Sequence, residues 1–181
     1  MEYAQPNYIY KAIYTPNDPR YDELWGIKKI QAPDAWDITE GLGAIVCIND
    51  TGVDYNHEDL RANIWTDANG KHGYDFYNND DDPMDDHNHG THCAGTVAAV
   101  GNNGIGVIGV GPKIKLMATK GLSANGSGWS DDLAEGIRWA TDHGADVVSN
   151  SWGPGGRSPS DPTCEAAIDY AYERGVVCVF A

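Results

Sequence analysis

The sequence predicts an α/β fold in which a doubly wound parallel sheet carries flanking helices on both faces. Short apolar segments alternate with segments of helical periodicity, which is the pattern of strand–helix–strand units joined by right-handed crossovers. The apolar segments are nearly continuous rather than alternating, as expected for strands that are covered on both sides. The predicted strands are residues 44–49, 114–120, 146–151 and 176–180.

Four helices are predicted before or between these strands. In the most regular of them, Leu133, Ile137 and Ala140 recur at helical spacing. Ser130 suits its first position and Gly144 suits its end. The four predicted helices are residues 32–38, 90–100, 130–143 and 165–174.

Two segments lack regular periodicity and are predicted to be long loops. Residues 101–112 are rich in Gly and Asn, and residues 63–88 are polar. Loops of this length are usually functional or disordered. A run of like charges in the second loop either extends in solvent or is neutralised by cations. The run consists of Asp75, Asp80, Asp81, Asp82, Asp85 and Asp86.

Bulk composition indicates one globular domain and argues against two kinds of partner. A chain of 181 residues with 41% apolar content is long enough to bury a core. A formal charge of −15 argues against nucleic acid, which requires a basic surface. No apolar run approaches the roughly 20 residues that cross a bilayer, so no membrane partner is expected. The first residues also lack the basic start and apolar core of a secretory signal.

The four cysteines leave the redox compartment open. Cys47 and Cys93 stand in apolar or Ala/Gly-rich surroundings and are predicted to be inert buried thiols. Cys164 and Cys178 flank a predicted helix and have the option of pairing. Spacing alone does not choose among the three possible full pairings.

Two segments together indicate catalytic chemistry. Asp50 ends a predicted strand and is followed by Gly52, while His89 opens a predicted helix of small residues. Catalytic groups of open α/β sheets collect at the carboxyl ends of strands. A carboxylate that fixes the tautomer of a histidine base is two thirds of a Ser-His-Asp triad, and the order Asp, His, Ser is one of the known chain orders. No serine of the chain stands in the context of the nucleophile.

Residues 45–54, 56–60 and 89–99 carry a resemblance to the subtilisin-like serine proteases, and among them to the thermitase branch. The resemblance runs from about residue 14 to residue 181. It implies that residues 14–181 are the N-terminal part of a peptidase domain, truncated before its C-terminal half, which holds the oxyanion-hole Asn and the nucleophilic Ser. Residues 1–13 would be the end of a propeptide and its cleavage region.

The resemblance also implies roles for individual residues. Asp50 would orient His89, His89 would be the general base, and His92 would be structural. An extended substrate would add as a strand, held by backbone hydrogen bonds, to one segment, and a second segment would flank the pocket for the residue before the cleaved bond. The implied substrate-binding residues are Gly126, Ser127, Gly128, Ser151, Trp152 and Gly153.

Two calcium sites follow from the same resemblance, since Ca²⁺ takes six to eight oxygen ligands. Carboxylates, an amide and backbone carbonyls would form the first site, which would attach the N-terminal segment to the sheet, and the acidic run would form the second. The ligands of the first would be Asp18, Asp59, Val100, Asn103, Ile105 and Val107. The ligands of the second would be Asp75, Asp80, Asp82 and the carbonyl of Met84.

The expected function is therefore that of a serine endopeptidase acting on extended protein substrates, with the propeptide as its inhibitor. A monomer and a secreted location are expected from the family alone. The rival interpretation is an inactive fragment or module that binds calcium or peptide. Three single features each allow a second interpretation: zinc bound by His87, His89 and His92, a plain solvated acidic run, and an ordinary turn at residues 101–107.

Overall fold

The computed structural model describes residues 5–7, 15–154, 156 and 160–181. Its strands form one five-stranded sheet in the order β2-β3-β1-β4-β5, and every neighbouring pair is parallel. The strands are β1 (Ile45–Asp50), β2 (Gly73–Asp75), β3 (Lys115–Lys120), β4 (Val147–Asn150) and β5 (Val177–Phe180). The predicted α/β class with a parallel sheet is confirmed.

In the described part of the chain, five α-helices accompany the sheet, and 3-10 turns occur at Tyr21–Glu23 and Arg61–Asn63. Four of the helices were predicted to within three residues at each end. The short first helix was missed. The helices are α1 (Trp25–Lys29), α2 (Ala32–Trp36), α3 (His89–Ala98), α4 (Ser130–Asp142) and α5 (Pro162–Glu173).

The start of α5 differs from the prediction for a local reason. The helix begins three residues early, because Asp161 caps it and Pro162 occupies its first turn. The Asp161 carboxylate accepts hydrogen bonds from the backbone N–H groups of Thr163 and Cys164, each at 3.2 Å. Such a cap satisfies donors that have no partner inside the helix.

Side chains that alternate along the strands fill two cores, one on each face of the sheet. Cys47, Met117 and Val148 point to the face covered by α4 and α5. Ile48 and Leu116 point to the face covered by α3. Helices thus cover both faces of the central strands, which explains the apolar runs of β1, β3 and β4.

Strand β2 was missed because its sequence carries no apolar run. It pairs only with β3, and its three residues lie inside the loop 63–88 that was predicted to be irregular. A Cβ on Gly73 would lie 1.6 Å from the carbonyl oxygen of Ala118, so only glycine permits this approach to β3. Strand β2 is therefore identified by its close contact with β3 and not by a periodic pattern of apolar residues.

All four cysteines are free thiols, so Cys164 and Cys178 are not paired. Cys47 is fully buried as predicted, whereas Cys93 is only partly buried. No helix within the described ranges is long and apolar enough to cross a membrane. The predicted propeptide boundary at residues 13 and 14 lies outside the described residues.

Candidate active site

The sheet order places the candidate site at the carboxyl ends of the central strands. Strand β1 lies between β3 and β4, and because all three are parallel their carboxyl ends meet at the same side. Asp50 is the last residue of β1. Residues 126–128 follow β3 and residues 151–153 follow β4, so the two predicted substrate segments lie on either side of Asp50.

Asp50 and His89 are in direct contact. Oδ1 of Asp50 lies 2.8 Å from Nδ1 of His89 and also accepts the N–H of Thr51 at 2.7 Å. The Asp50 side chain is fully buried, whereas that of His89 is 45% exposed. Because a carboxylate only accepts hydrogen bonds, Nδ1 carries the proton. Nε2, which has no hydrogen-bond partner among the described residues, is left free to accept one.

Asp85 fixes the loop and first turn that present His89. Its Oδ1 accepts the hydroxyl of Thr51 at 2.8 Å and the N–H groups of His87 and Asn88 at 2.9 and 3.0 Å. Its Oδ2 accepts the N–H of Thr91 at 2.9 Å and the hydroxyl of the same residue. Asp85 was predicted only as one acid of the charged run, although an aspartate just before a helix is a common capping signal.

The ionisation of Asp85 follows from these bonds. Burial alone would raise the pKa of Asp85, but the hydrogen bonds from Thr91, His87 and Thr51 lower the pKa below its ordinary value. Because the pKa of Asp85 is lower in the folded state, ionised Asp85 stabilises the folded protein above about pH 4. The stabilisation is lost as the pH falls through the lower folded value.

Gly90 allows α3 to approach β1 closely. A Cβ at this position would lie 2.1 Å from the carbonyl oxygen of Gly52 and 3.2 Å from Cβ of Asp50. The N–H of Gly90 also donates to the hydroxyl of Thr51 at 2.9 Å. The short distance between Asp50 and His89 therefore depends on a residue without a side chain.

Residues 126–128 form an exposed loop whose backbone is partly unpaired. The carbonyl of Ser127 accepts the N–H and the hydroxyl of Ser123 at 2.9 and 2.7 Å. The carbonyl of Gly126 and both backbone groups of Gly128 form no hydrogen bond with the described part of the chain. Gly126 has φ +76° and lies against the imidazole of His87. This geometry leaves an open backbone edge beside the histidine loop.

Residues 151–153 are held through Trp152. Its indole N–H donates to the carbonyl of Asn49 at 2.8 Å, and its ring meets Phe180 edge-on with centroids 5.3 Å apart. Asn49 is buried and also donates to Asn150 at 2.9 Å. Trp152 is thus anchored to the residue that precedes Asp50, a coupling that sequence analysis missed. Gly153 is exposed.

A third polar atom stands close to the pair. Sγ of Cys93 lies 4.0 Å from Nδ1 of His89. Burial raises the pKa of Cys93, a hydrogen bond with Ser151 lowers it, and the charge of Asp50 raises it further. The net pKa is raised, which favours an inert protonated thiol over a nucleophile.

The zinc interpretation of the three histidines is wrong. His87 and His89 have ring centroids 6.3 Å apart. Among the described residues, the single group of three or more potential His, Cys, Asp or Glu ligands whose ligand atoms all lie within 4.8 Å is Asp50, His89 and Cys93. His87 and His92 are not part of it.

The structure brings together the side chains of Asp18, Asp59 and Asn103, which were predicted as ligands of the first calcium site. Asp18 and Asp59 are each 3% exposed although they lie far apart in the chain. The Asp18 carboxylate accepts the N–H groups of Asn102 and Asn103 at 3.0 and 3.4 Å. The Asp59 carboxylate accepts the Asn103 side chain at 2.7 Å and the N–H of Val107 at 2.9 Å.

These groups fit a cation. Neither Asp18 nor Asp59 forms an ion pair with a described residue, and buried carboxylates are costly unless paired or metal-bound. The carbonyls of Val100, Ile105 and Val107 accept no hydrogen bond within the described ranges. The Asn103 side chain turns its nitrogen toward Asp59 and its oxygen toward the N–H of Ile105, so its amide would have to rotate to become a ligand.

The second predicted calcium site is not brought together. Asp75 accepts the backbone and side-chain N–H groups of Asn78, both at 2.8 Å. Asp82 accepts the hydroxyl of Tyr55 at 2.8 Å and the N–H of Met84 at 3.3 Å. Asp75, Asp80 and Asp82 do not place their carboxylates within 4.8 Å of one another. Hydrogen bonds from Asn78, Tyr55 and Met84 occupy the carboxylates of Asp75 and Asp82, and the composition of the run did not reveal them.

Comparison with known proteins supports one family. The model of the Subtilase family, peptidase S8, matches residues 41–181. A thermophilic serine proteinase from Bacillus sp. (strain AK1) is 43% identical over 100% of this chain and 43% of its own length. Thermitase from Thermoactinomyces vulgaris is 44% identical over 93% of this chain and 57% of its own length.

A solved structure is also similar. A protease from Pseudoalteromonas arctica PAMC 21717 superposes with a TM-score of 0.78 at 35% identity, over 92% of this chain and 58% of the other. The chain thus spans roughly half the length of each of these three proteins. The matched region holds both Asp50 and His89. The chain belongs to the Subtilase family.

Proposed function

We propose that the chain forms the N-terminal part of the catalytic domain of a subtilisin-class serine endopeptidase, with Asp50 and His89 as its acid–base pair. The observation that carries the proposal is the 2.8 Å contact between Asp50 Oδ1 and His89 Nδ1. The contact lies at the carboxyl ends of the strands, between the exposed segment 126–128 and the partly buried segment 151–153. Family membership supports the same chemistry.

In this mechanism His89 moves the protons. Nε2 takes the proton of a serine hydroxyl as the hydroxyl attacks the scissile carbonyl, and later gives the proton to the leaving amine. Asp50 holds the imidazole in the required tautomer and stabilises the imidazolium. No described serine bonds Nε2, so the nucleophile would come from outside the described residues.

The substrate would bind as an extended chain. The unpaired backbone groups of Gly126 and Gly128 support pairing with a peptide strand, with Ser127 between them. Ser151, Trp152 and Gly153 would flank the residue that precedes the cleaved bond. The anchoring of Trp152 by Asn49 supports a rigid wall on that side.

The enzyme proposal and its non-enzymatic rival differ in one assay. The 181-residue chain alone is expected to release no fluorescence from labelled casein, because no hydroxyl within the described residues bonds Nε2 of His89. Fusing Ala181 to the segment that follows the matched region in the thermophilic serine proteinase from Bacillus sp. AK1 is expected to restore hydrolysis. A folded fusion that binds peptide without cleaving it would support the rival.

Calcium is proposed at the first site only. Asp18, Asp59 and Asn103 would bind it with the carbonyls of Val100, Ile105 and Val107 (an arrangement that supplies six oxygens). The ion would hold the segment around Asp18 against the loop after α3.

The calcium site predicts a calcium-dependent gain in stability. At calcium about 100-fold above its dissociation constant, the free energy of unfolding is expected to rise by about 2.7 kcal/mol. Asp59→Asn is expected to remove most of this increment in urea titrations with calcium and with chelator. The exposed Asp80→Asn serves as a matched control and should keep the increment. Equal losses for Asp59→Asn in both conditions would rule out the site.

Three further proposals rest on the family resemblance alone. Residues 1–13 would be the end of an inhibitory propeptide and its cleavage region, and residues 14–181 would belong to the peptidase domain. The complete protein would be a secreted monomer. Mass spectrometry of the matured N-terminus would locate the cut.

A further inference from the structure

Lys120 is a buried cation beside the site that the proposed mechanism does not use. It is the last residue of β3 and stands opposite Asp50 in the parallel register. Its side chain is 1% exposed. An ammonium that is removed from water is costly unless all its protons are bonded and its charge is paired.

Every proton of this ammonium has an acceptor. Nζ donates to the carbonyl of Thr51 at 2.9 Å, to the carbonyl of Leu122 at 2.8 Å, and to Oδ1 of Asp86 at 2.7 Å. Three acceptors match the three donors of a lysine. The Asp86 side chain, 48% exposed, supplies the compensating charge.

The three acceptors belong to three different parts of the site. Thr51 directly follows Asp50, Leu122 begins the loop that leads to residues 126–128, and Asp86 lies three residues before His89. Asp85 already ties the histidine loop to β1 through Thr51. Lys120 ties the same loop to β3 and to the start of the substrate segment.

We propose that Lys120 is a positioning residue that sets the place of His89 relative to the substrate-binding segment 126–128. The proposal rests on the proposed function, since it gives His89 and that segment their roles. Lys120 acts through Asp86 on one side and through Leu122 on the other.

Lys120 also contributes to the stability of the fold, and the test must distinguish this contribution from the proposed positioning role. Its carbonyl accepts the N–H groups of Phe76 and Tyr77 at 2.8 and 3.2 Å, but a side-chain substitution leaves these bonds in place. Loss of the ammonium is expected to lower stability. A readout other than stability is therefore required.

The test compares Lys120→Met and Asp86→Asn in the 181-residue chain by NMR. In the parent chain, the Nδ1 proton of His89 should give a far-downfield resonance because it is bonded to Asp50. Both variants are expected to weaken or lose this resonance through exchange with water. Lys120→Met should also shift the amide resonances of Gly126 and Gly128, whereas Asp86→Asn should leave them in place.

A control variant of similar stability distinguishes a specific effect on the position of His89 from a general loss of stability. Ile137→Val changes the opposite face of the sheet and should keep the His89 resonance, even when its urea midpoint falls as far as that of Lys120→Met. If Lys120→Met does not fold, Asp86→Asn decides, because its side chain is half exposed. An unchanged His89 resonance in both variants, or in the folded Asp86→Asn variant, overturns the role of Lys120. Absence of the resonance from the parent chain contradicts the proposed function instead.

Discussion

His89→Ala is expected to lower the kcat of the fused enzyme by about 10⁶-fold, and Asp50→Asn by about 10⁴-fold. The alanine removes the base that takes the serine proton. The asparagine donates a hydrogen bond where the carboxylate accepts one, so it favours the wrong tautomer of His89. Steady-state hydrolysis of a peptide substrate measures both, and KM should change little because neither residue belongs to the proposed substrate edge.

The control for this prediction is another histidine. His143 is exposed at the end of α4, where its ring stacks on Trp139 and its Nδ1 bonds the carbonyl of the same residue. His143→Ala should leave kcat within about twofold, since surface substitutions away from special features cost little. A loss of kcat for Asp50→Asn no larger than that for His143→Ala would contradict the assigned pair.

The second large effect concerns the approach of α3 to β1. Gly90→Ala is expected to lower the free energy of unfolding by about 2–3 kcal/mol, because its Cβ would meet the backbone carbonyl of Gly52 at 2.1 Å. The atom in the clash belongs to the backbone of Gly52, so no side chain can rotate away to relieve it. The helix must move from the strand, so the contact between Asp50 and His89 should also weaken.

Gly95→Ala is the matched control on the same helix. A Cβ at Gly95 meets nothing within 4 Å. Alanine is the better helix former, so this substitution should raise the free energy of unfolding by up to about 1 kcal/mol. Urea unfolding of the 181-residue chain measures both changes. Equal changes for the two variants would mean that α3 does not contact β1 as the structure shows.

The sheet and the acid–base pair could be predicted from the sequence because each corresponds to a local sequence pattern. Four strands are short apolar runs, and Asp50 ends one of them just before Gly52. His89 begins a helix whose small residues allow close packing. Parallel strand order then brings both to one edge. These inferences need only periodicity, chain order and a motif.

Several parts of the site depend on contacts that no local pattern encodes. A lysine is normally exposed, and Lys120 is buried only because carbonyls of Thr51 and Leu122 and the carboxylate of Asp86 converge on it. Asp85 looked like one of several acids in a charged run. The same run suggested calcium at Asp75, although its side chain is bonded to Asn78. Composition does not show which carboxylates already accept hydrogen bonds within a turn.

The claim that Asp50 orients His89 as the general base is tested most directly by the tautomer of His89. Long-range ¹H–¹⁵N correlation spectra of the 181-residue chain at about pH 9, above the usual range for imidazole, distinguish the two ring nitrogens. A hydrogen bond to Asp50 predicts a protonated Nδ1 and an unprotonated Nε2, and Asp50→Asn should disturb this state. A ring protonated at Nε2, unchanged by Asp50→Asn, would contradict the account.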